Sequence, residues 1–553
     1  MYRQVLDPVG NSLGWSSIFA LLPLAVLFVL LGIVRLKAHW ASLIALAVSM
    51  LVALAVYGMP IGQTADSAAE GALFGFWPIM WIVINALWIF NMTEASGHFA
   101  VLRRAFATIS DDQRVQVVVI AFCFGALLEA LAGFGTPPAI CGIMLVGLGL
   151  NPVRAAAVAL VADTAPVAFG AVAIPIITLA QVSGLPVHDL SQMVGRQTPF
   201  LACIVPFILI FMVDGRRGLR EAWPAALVAG VSFAVLQFAI SNYVSTPITD
   251  IVASLGSTVA LLGLLRIWTP AAAEPVPGPA HRPAVAGGAV EDPAFERRTR
   301  AEQGEPLSRG EVFMAFVPYI IIVIILGLIS VNSIAAWLDK ATSEFAWPGL
   351  HVVASNGQAP SSIMFKANWF TAAGTGLLAS GILTAVVLRI SPLGALRVYG
   401  RTLAQLRWAL VTVCTVLAIA YVMNLSGQTI TLGTWAAGAG GFFAFLSPLI
   451  GWFGTAVTGS DTSTNSLFGA LQVTAAKQSG LSPTLLAAAN SSGGVLAKMV
   501  SPQNLAIGAA AVGLGGREGD IFRRVLGWSL LLVGLMGVLV LLQSTAVLSW
   551  MVP

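Results

Sequence analysis

The feature that most constrains this chain is a recurring apolar run of about 20 residues, the length that an α-helix needs to cross the hydrocarbon core of a bilayer. These runs follow one another along 553 residues, of which 58% are hydrophobic and only 9% are charged. A soluble domain carries about 25% charged residues, and a water-soluble fold could not bury this much apolar surface. The sequence therefore predicts one large, all-α, polytopic membrane protein.

Hydropathy gives the positions of the spans, and a charged, proline-rich stretch at 269–310 separates them into two parts. This stretch is predicted to be a hydrophilic linker. The predicted spans are 15–34, 40–58, 73–92, 115–132 with 137–150, 153–182, 197–213, 222–241, 249–267, 311–331, 368–389, 408–426, 434–457 with 463–478, 484–514 and 525–547.

Lysine and arginine orient the chain, because these residues concentrate in cytoplasmic loops. All of the basic clusters can face the cytoplasm only if two segments, 115–150 and 434–478, are hairpins that enter and leave on one side. Each segment has a centre rich in Gly, Thr and Ser, namely GFGTPP at 133–138 and GSDTSTN at 459–465. The first hairpin is predicted to enter from the cytoplasm and the second from outside. The clusters are Arg35 with Lys37, Arg103, Arg104 and Arg114, then Arg216, Arg217 and Arg220, then Arg389, Arg397, Arg401 and Arg407, and finally Arg517, Arg523 and Arg524.

The two halves of the chain show a weak internal similarity. Gly-Leu-x-Pro follows each hairpin, at 149–152 and 480–483, and the stretches 163–175 and 490–502 then align without a gap. We therefore predict two inverted repeats, each with a re-entrant hairpin and a broken transmembrane helix, which is the plan of many secondary transporters. The predicted domains are 1–214 for the first repeat, with its broken helix at about 153–182, 215–268 for two extra helices, 269–310 for the linker, and 311–553 for the second repeat, with its broken helix at about 484–514.

Non-helical breaks inside a bilayer survive only where they are buried in protein or line a wet cavity. Four breaks, two from each half, are predicted to converge on one central site. Half-helix N-termini carry partial positive charge and free N–H groups, which suit a carboxylate. The alternative is that the small residues serve close helix packing. The candidate substrate-binding residues are Gly133, Gly135, Thr136, Thr164, Ser460, Asp461, Thr462, Ser463, Thr464, Ser491, Ser492 and Lys498.

Charged residues inside the spans indicate function, because a charge at the bilayer centre is costly. Lys498 could attract an anionic substrate. Desolvation favours the neutral form of a carboxylate, so Asp163, Glu129 or Asp461 could carry a coupled proton. The alternative is a structural ion pair, such as Lys498 with Asp163 or with Asp461. The sequence shows no metal-ligand spacing, and no cofactor is expected beyond the coupling ion, a proton or alternatively sodium.

Three motifs resemble those of a known family. GALLEALAGFGTPPAI at 125–140 resembles the hairpin signature of the bacterial lactate permease family, and GSDTSTNSLFGALQ at 459–472 and NSSGGVLAKMVSPQNLAIG at 490–508 resemble its second and third conserved blocks. The resemblance implies symport of L-lactate, D-lactate and glycolate with protons. It also suggests kinship with elevator-type transporters, in which a hairpin-bearing domain slides against a scaffold.

The expected function is therefore the import of lactate and related small 2-hydroxy monocarboxylates across a bacterial inner membrane by proton symport. The expected partners are the carboxylate substrate and the lipid bilayer, with a homo-oligomer as an option and no nucleic acid. Both termini are expected outside and the linker 269–310 in the cytoplasm. The rivals are a sodium-coupled organic anion carrier of the same architecture and, more remotely, a channel or an intramembrane enzyme. The sequence contains no HExxH zinc motif to support an enzyme.

Overall fold

The structure is a computed structural model, and it is mostly helical. It describes residues 2–133, 135–270, 308–354, 360 and 363–553. The predicted linker, 269–310, thus lies outside the described residues except at its two ends. Within the described ranges, nine helices are long and apolar enough to cross a membrane, and a bent pair forms a tenth span. This confirms the all-α, multi-span fold class.

The first part of the chain runs from α1 to α13, with π-helical turns at Val29–Ile33, Gly75–Met80 and Val118–Phe124 and a 3₁₀ turn at Val167–Phe169. The helices are α1 (Leu13–Phe28), α2 (Ala38–Ala55), α3 (Ile61–Phe74), α4 (Trp81–Ala95), α5 (His98–Ala107), α6 (Gln113–Val117), α7 (Gly125–Leu131), α8 (Thr136–Gly147), α9 (Pro152–Ala162), α10 (Gly170–Ser183), α11 (Val187–Val194), α12 (Thr198–Tyr243) and α13 (Thr249–Leu265).

The second part of the chain runs from α14 to α23, with 3₁₀ turns at Ala437–Phe442, Val495–Val500 and Ser549–Met551. The helices are α14 (Arg309–Ile329), α15 (Asn332–Asp339), α16 (Ala373–Val387), α17 (Pro392–Ser426), α18 (Gln428–Ala436), α19 (Phe443–Thr458), α20 (Asp461–Ser479), α21 (Pro483–Gly494), α22 (Pro502–Ala511) and α23 (Glu518–Gln543). The strands are β1 (Tyr2–Arg3), β2 (Ser343–Ala346), β3 (Val352–Val353) and β4 (Met364–Ala367).

Two small sheets, which the hydropathy analysis did not anticipate, form at one end of the helices. Strand β1 pairs in parallel with β3, and β2 pairs antiparallel with β4. The Tyr2 hydroxyl donates to the carbonyl of Ser426 at the end of α17, at 2.8 Å. The chain start, the segment after α14 and the end of α17 therefore share one face of the molecule, which we call the N-terminal face.

Three predicted span boundaries differ from the structure. The helix predicted at 408–426 already begins at Pro392, because a basic sequence can stay helical where it leaves the apolar layer. The span predicted at 73–92 is preceded by α3, which begins at Ile61. The two spans predicted at 197–213 and 222–241 lie in α12, whose backbone departs from helical geometry at Gly215, with φ 59° and ψ −142°. A hydrogen bond from Thr198 Oγ1 to Gln237 Oε1, at 3.1 Å, shows that α12 folds back on itself there.

The segments predicted as re-entrant hairpins fold as helical hairpins, and their re-entrant course in the membrane stays a prediction. In the first, formed by α6 to α8, Cys141 Sγ donates to the Ile120 carbonyl and Gln113 Nε2 to the Leu148 carbonyl, at 3.2 and 2.9 Å. These contacts pair the two arms in antiparallel order.

The second hairpin, formed by α19 and α20, is held in the same way. Thr455 donates to Thr464 at 2.8 Å, and Ser447 donates to Gln472 at 2.9 Å. We call the turns of the two hairpins tip 1 (Gly133 and Gly135) and tip 2 (Gly459 and Ser460).

The two broken helices follow the hairpins. Helix α9 and the segment 167–183 are bent by 64°, and α21 passes through a 3₁₀ segment into α22. Each broken helix contacts the hairpin of the other half, since Asn465 Nδ2 donates to the Pro175 carbonyl at 3.1 Å and Lys498 pairs with Glu129. The inverted repeat, the domain boundaries and the elevator motion stay predictions.

Candidate functional site

A cavity of about 590 Å³ lies between two groups of helices. One wall comes from the α1–α2 connection and from Trp408 to Val413 of α17, and the other comes from both hairpin tips and both broken helices. Arg35 and Lys37 lie at the exposed end of this lining. Because α1 separates these two residues from the N-terminal face, the cavity opens toward the opposite face of the molecule.

Three charged side chains meet at the inner end of the cavity. Lys498 Nζ lies 2.6 Å from Glu129 Oε1 and 3.1 Å from Asp163 Oδ2. The three residues are only 5%, 4% and 2% exposed, respectively. When both carboxylates are ionised, this cluster, which we call the Lys498 triad, has a net charge of −1.

The local sequence explains how the triad forms. Lys498 lies in the 3₁₀ segment Val495–Val500, which ends where Ser501 caps α22 and accepts from the Asn504 N–H. Glu129 lies on α7, and Asp163 is the C-terminal cap of α9. A Cβ atom at Gly170 would contact the Glu129 carboxyl group, so a glycine at this position leaves room for that side chain.

Asp461 is a second buried acidic group on the cavity wall, and it lies at the first turn of α20. Its Oδ2 accepts from Ser491 Oγ at 2.6 Å and from Asn465 Nδ2 at 3.2 Å. Neutral donors therefore surround this carboxylate, whereas the triad is held by a cation.

One oxygen of each carboxylate remains without a hydrogen-bond partner among the described residues. These buried atoms are Glu129 Oε2, Asp163 Oδ1 and Asp461 Oδ1. A buried carboxylate oxygen without a donor is costly, so such atoms indicate groups that bind protons, water or a ligand during function. Within the described ranges, no group of His, Cys, Asp and Glu has the arrangement of a metal site.

Comparison with known proteins shows which family this chain belongs to. The model of the L-lactate permease family matches residues 16–547. The glycolate permease GlcA of Escherichia coli (strain K12) is 40% identical over 98% of each chain. The L-lactate permeases of Escherichia coli (strain K12) and Bacillus subtilis (strain 168) are 39% and 38% identical over the whole of each chain. The chain belongs to the L-lactate permease family.

Among solved structures, MtrF of Neisseria gonorrhoeae, described as a member of a class of antimetabolite efflux pumps, has a similar fold. It is 13% identical, with a TM-score of 0.50 over 94% of this chain and 97% of that one. At this identity the likeness concerns the fold alone. The relatives in the L-lactate permease family are permeases, so this chain is a membrane transport protein and not an enzyme.

The residues predicted for the site fall into two groups, according to whether they line the cavity. Those that line the cavity are Gly133, Gly135, Ser460, Asp461, Thr462, Ser463 and Lys498, together with Glu129. Those that lie outside the lining are Thr136, Thr164, Thr464, Ser491 and Ser492, together with Asp163.

Four of the five predicted hydroxyls outside the lining have protein partners of their own. Thr164 Oγ1 donates to the Val161 carbonyl at 2.7 Å, and Ser492 Oγ donates to Gln197 Oε1 at 2.7 Å. Thr464 bonds within the second hairpin, and Ser491 bonds to Asp461. In the structure these four hydroxyls therefore bond to protein groups around the cavity.

Sequence reasoning missed Asn504, which lines the cavity beside both hairpin tips. Asn504 Nδ2 donates to the Gly459 carbonyl at tip 2, at 3.2 Å, and a Cβ at Gly135 of tip 1 would lie 3.5 Å from Asn504 Oδ1. Asn504 thus lies between the two tips. The pattern Ser501-Pro-x-Asn504, a capping serine before a proline at the first helical position, was the signal that could have marked it.

Proposed function

We propose that this protein imports lactate and related small 2-hydroxy monocarboxylates, including glycolate, by proton symport. Membership of the L-lactate permease family supports the substrate class, since the relatives at 38–40% identity are named for L-lactate and glycolate. The observation that carries the coupling is the Lys498 triad at the inner end of the cavity.

The triad links proton binding to anion binding through charge. With Glu129 and Asp163 both ionised, Lys498 is fully paired and the net charge of −1 repels a carboxylate. A proton on Glu129 or Asp163 removes one of these partners and brings the net charge of the triad to zero, so that the Lys498 ammonium can bind the substrate carboxylate. Lactate is almost wholly ionised at neutral pH, so symport of one proton with each anion makes transport electroneutral.

The rest of the cavity suits a 2-hydroxy acid. Ser460, Thr462 and Ser463 present hydroxyls at the first turn of α20, where the leading N–H groups of a helix have no carbonyl acceptor of their own. The positive end of this helix favours an anion. We assign the carboxylate of the substrate to Lys498 and its 2-hydroxyl to this turn.

The orientation of the chain follows from the basic residues. Arg35 and Lys37 lie at the open end of the cavity, and positive residues favour the cytoplasmic side. We therefore propose a bacterial inner-membrane location with the cavity open to the cytoplasm, the N-terminal face and both termini outside, and the 269–310 linker inside.

The deciding experiment is uptake of labelled L-lactate into proteoliposomes of the purified protein. We expect accumulation under an inward proton gradient, inhibition by glycolate, and no accumulation under a sodium gradient alone. Uptake driven by sodium but not by protons would replace proton coupling with sodium coupling. Flux without saturation or trans-stimulation, in vesicles shown to be tight, would indicate a channel instead of a carrier.

A further inference from the structure

A buried acidic residue that the transport cycle above does not use lies on α13. Asp250 is 1% exposed. Its Oδ1 accepts a hydrogen bond from Gln237 Nε2 at 2.9 Å, while its Oδ2 is buried with no partner among the described residues. The described part of the chain brings no cation within ion-pair distance of Asp250. A buried carboxylate held by one neutral donor is costly, so this side chain readily holds a proton.

Helix α13 packs against α7, the helix that carries Glu129. Cys123 Sγ, just before α7, lies 3.5 Å from Ser257 Oγ of α13, which sets the register of the two segments. Glu129 comes six residues after Cys123, and Asp250 comes seven residues before Ser257. The two segments run antiparallel, so both carboxyls lie in the same direction from the shared contact, at about 9 Å for Glu129 and about 10 Å for Asp250. Asp250 and Glu129 therefore lie at about the same level on neighbouring helices.

The position of Asp250 differs from that of the triad in one important respect. The residues between α12 and α13 belong to the N-terminal face, because Ser245 Oγ lies 2.7 Å from Ser330 Oγ at the end of α14. Asp250 is in the first turn of α13, directly beneath that face. The substrate cavity opens toward the opposite face. Asp250 thus lies between Glu129 and the N-terminal face, toward which the cavity is closed.

From these positions we propose that Asp250 is a second proton-binding site, which passes a proton between the N-terminal face and Glu129. The proposal rests on the proton symport proposed above. The proton leaves Asp250 Oδ2 and binds Glu129 Oε2 through an intervening water molecule. Asp250 becomes a carboxylate stabilised by the Gln237 amide and by the N-terminus of α13, and Glu129 becomes neutral and releases Lys498. A proton from the N-terminal face then restores Asp250.

The groups around Asp250 indicate that Glu129 is the residue with which it exchanges a proton. Helix α7 brings Glu129 level with Asp250, and within the described ranges no ion pair joins Asp250 to another charged group. The Cys123 thiol faces Ser257, which lies about two helical turns further along α13. From α12, Gln237 contributes only an amide, which is itself held by Thr198.

The test compares Asp250→Asn with wild type, Asp250→Glu and the control Ser257→Ala in proteoliposomes. Two quantities are measured: lactate counterflow at equal pH on both sides, which needs no net proton release, and accumulation driven by a pH gradient, with proton entry followed by an internal dye. We expect Asp250→Asn to keep counterflow but to lose accumulation, which in a one-proton symporter approaches about tenfold per pH unit. Asp250→Glu should restore accumulation, and Ser257→Ala should behave as wild type.

Accumulation by Asp250→Asn equal to that of wild type would overturn this role for Asp250, and so would loss of counterflow, because the residue would then serve substrate movement or folding. If the wild-type protein did not accumulate lactate under a proton gradient, the proposal of proton symport itself would instead be wrong.

Discussion

Lys498 Nζ and Glu129 Oε1 lie 2.6 Å apart although 369 residues separate them in the chain. The contact joins the second broken helix to the first hairpin, so it links the two halves of the protein at the cavity. A buried pair of this kind is a weak source of stability, because desolvation offsets most of the attraction. Its position beside a second carboxylate and a cavity instead points to a role in charge coupling.

Replacing Lys498 by Met should abolish lactate transport. The change leaves Glu129 and Asp163 as a pair of neighbouring buried carboxylates and removes the cation for the substrate. Losing one partner of a buried charge pair costs about 2 kcal/mol or more, equivalent to roughly thirtyfold in substrate affinity. The measurement is counterflow in proteoliposomes, with the exposed Glu344→Gln as the control. Saturable uptake by Lys498→Met with an unchanged KM would argue against a substrate contact.

Replacing Glu129 by Gln should uncouple lactate binding from protons. The neutral amide imitates the protonated acid, so Lys498 keeps only Asp163 as an ionised partner and binds lactate without first taking up a proton. In wild type, by contrast, lactate affinity should fall as the pH rises, because the protonated triad binds the anion. Calorimetric titration in two buffers of different ionisation enthalpy gives the number of protons taken up.

The matched variant Asp163→Asn tests which carboxyl carries the coupled proton. If Glu129→Gln still takes up one proton per lactate and Asp163→Asn takes up none, the role moves to Asp163. Uptake of one proton by both variants would show that the triad does not couple.

Replacing Gly451 by Ala should destabilise the second hairpin. A Cβ at this position would overlap the backbone of Asn490 on α21, so the two helices would have to separate. Overpacking of this kind costs about 1 to 3 kcal/mol. The matched control is Gly534→Ala on α23, where a Cβ would have no neighbour within 4 Å. Thermal unfolding in detergent should show a lower Tm for the first variant only, and equal values would mean that the hairpin relaxes freely.

Replacing Arg114 by Gln should weaken the attachment of the first hairpin to α12. Arg114 is 5% exposed and bonds to Asp112 at 2.7 Å and to Asp214 at 3.1 Å, with Glu221 as its third partner. Its loss removes the cation that Asp112, Asp214 and Glu221 share, and Glu221 then keeps only Arg217. Breaking a buried ion pair of this kind costs about 3 kcal/mol.

The control for this change is Arg217→Gln, because Arg217 is 51% exposed and reaches Glu221 at 3.2 Å. An exposed ion pair contributes about 1 kcal/mol at most. Thermal unfolding should therefore separate the two variants, and similar Tm values would mean that solvent replaces Arg114 without loss.

The sequence was informative wherever the signal is local. Apolar runs predicted the spans, and clusters of Gly, Thr and Ser located both tips and both broken helices, because backbone that leaves helical geometry needs such residues. The hydropathy pattern did not reveal the sheets of the N-terminal face, which form from very short strands. It also placed the start of α17 too late, because helical structure continues through basic residues that hydropathy assigns to a loop.

By itself the sequence determined that the protein lies in lipid, its all-α class, its family and four of its buried charges, Lys498, Glu129, Asp163 and Asp461. Only the tertiary structure decided that Lys498 contacts Glu129 and Asp163 while Asp461 is held by Ser491 and Asn465. It also decided that Asp250 lies level with Glu129. The physical reason is that helix formation and burial in lipid depend on neighbouring residues in the chain, whereas charge pairing depends on distances of a few ångströms between helices that lie hundreds of residues apart.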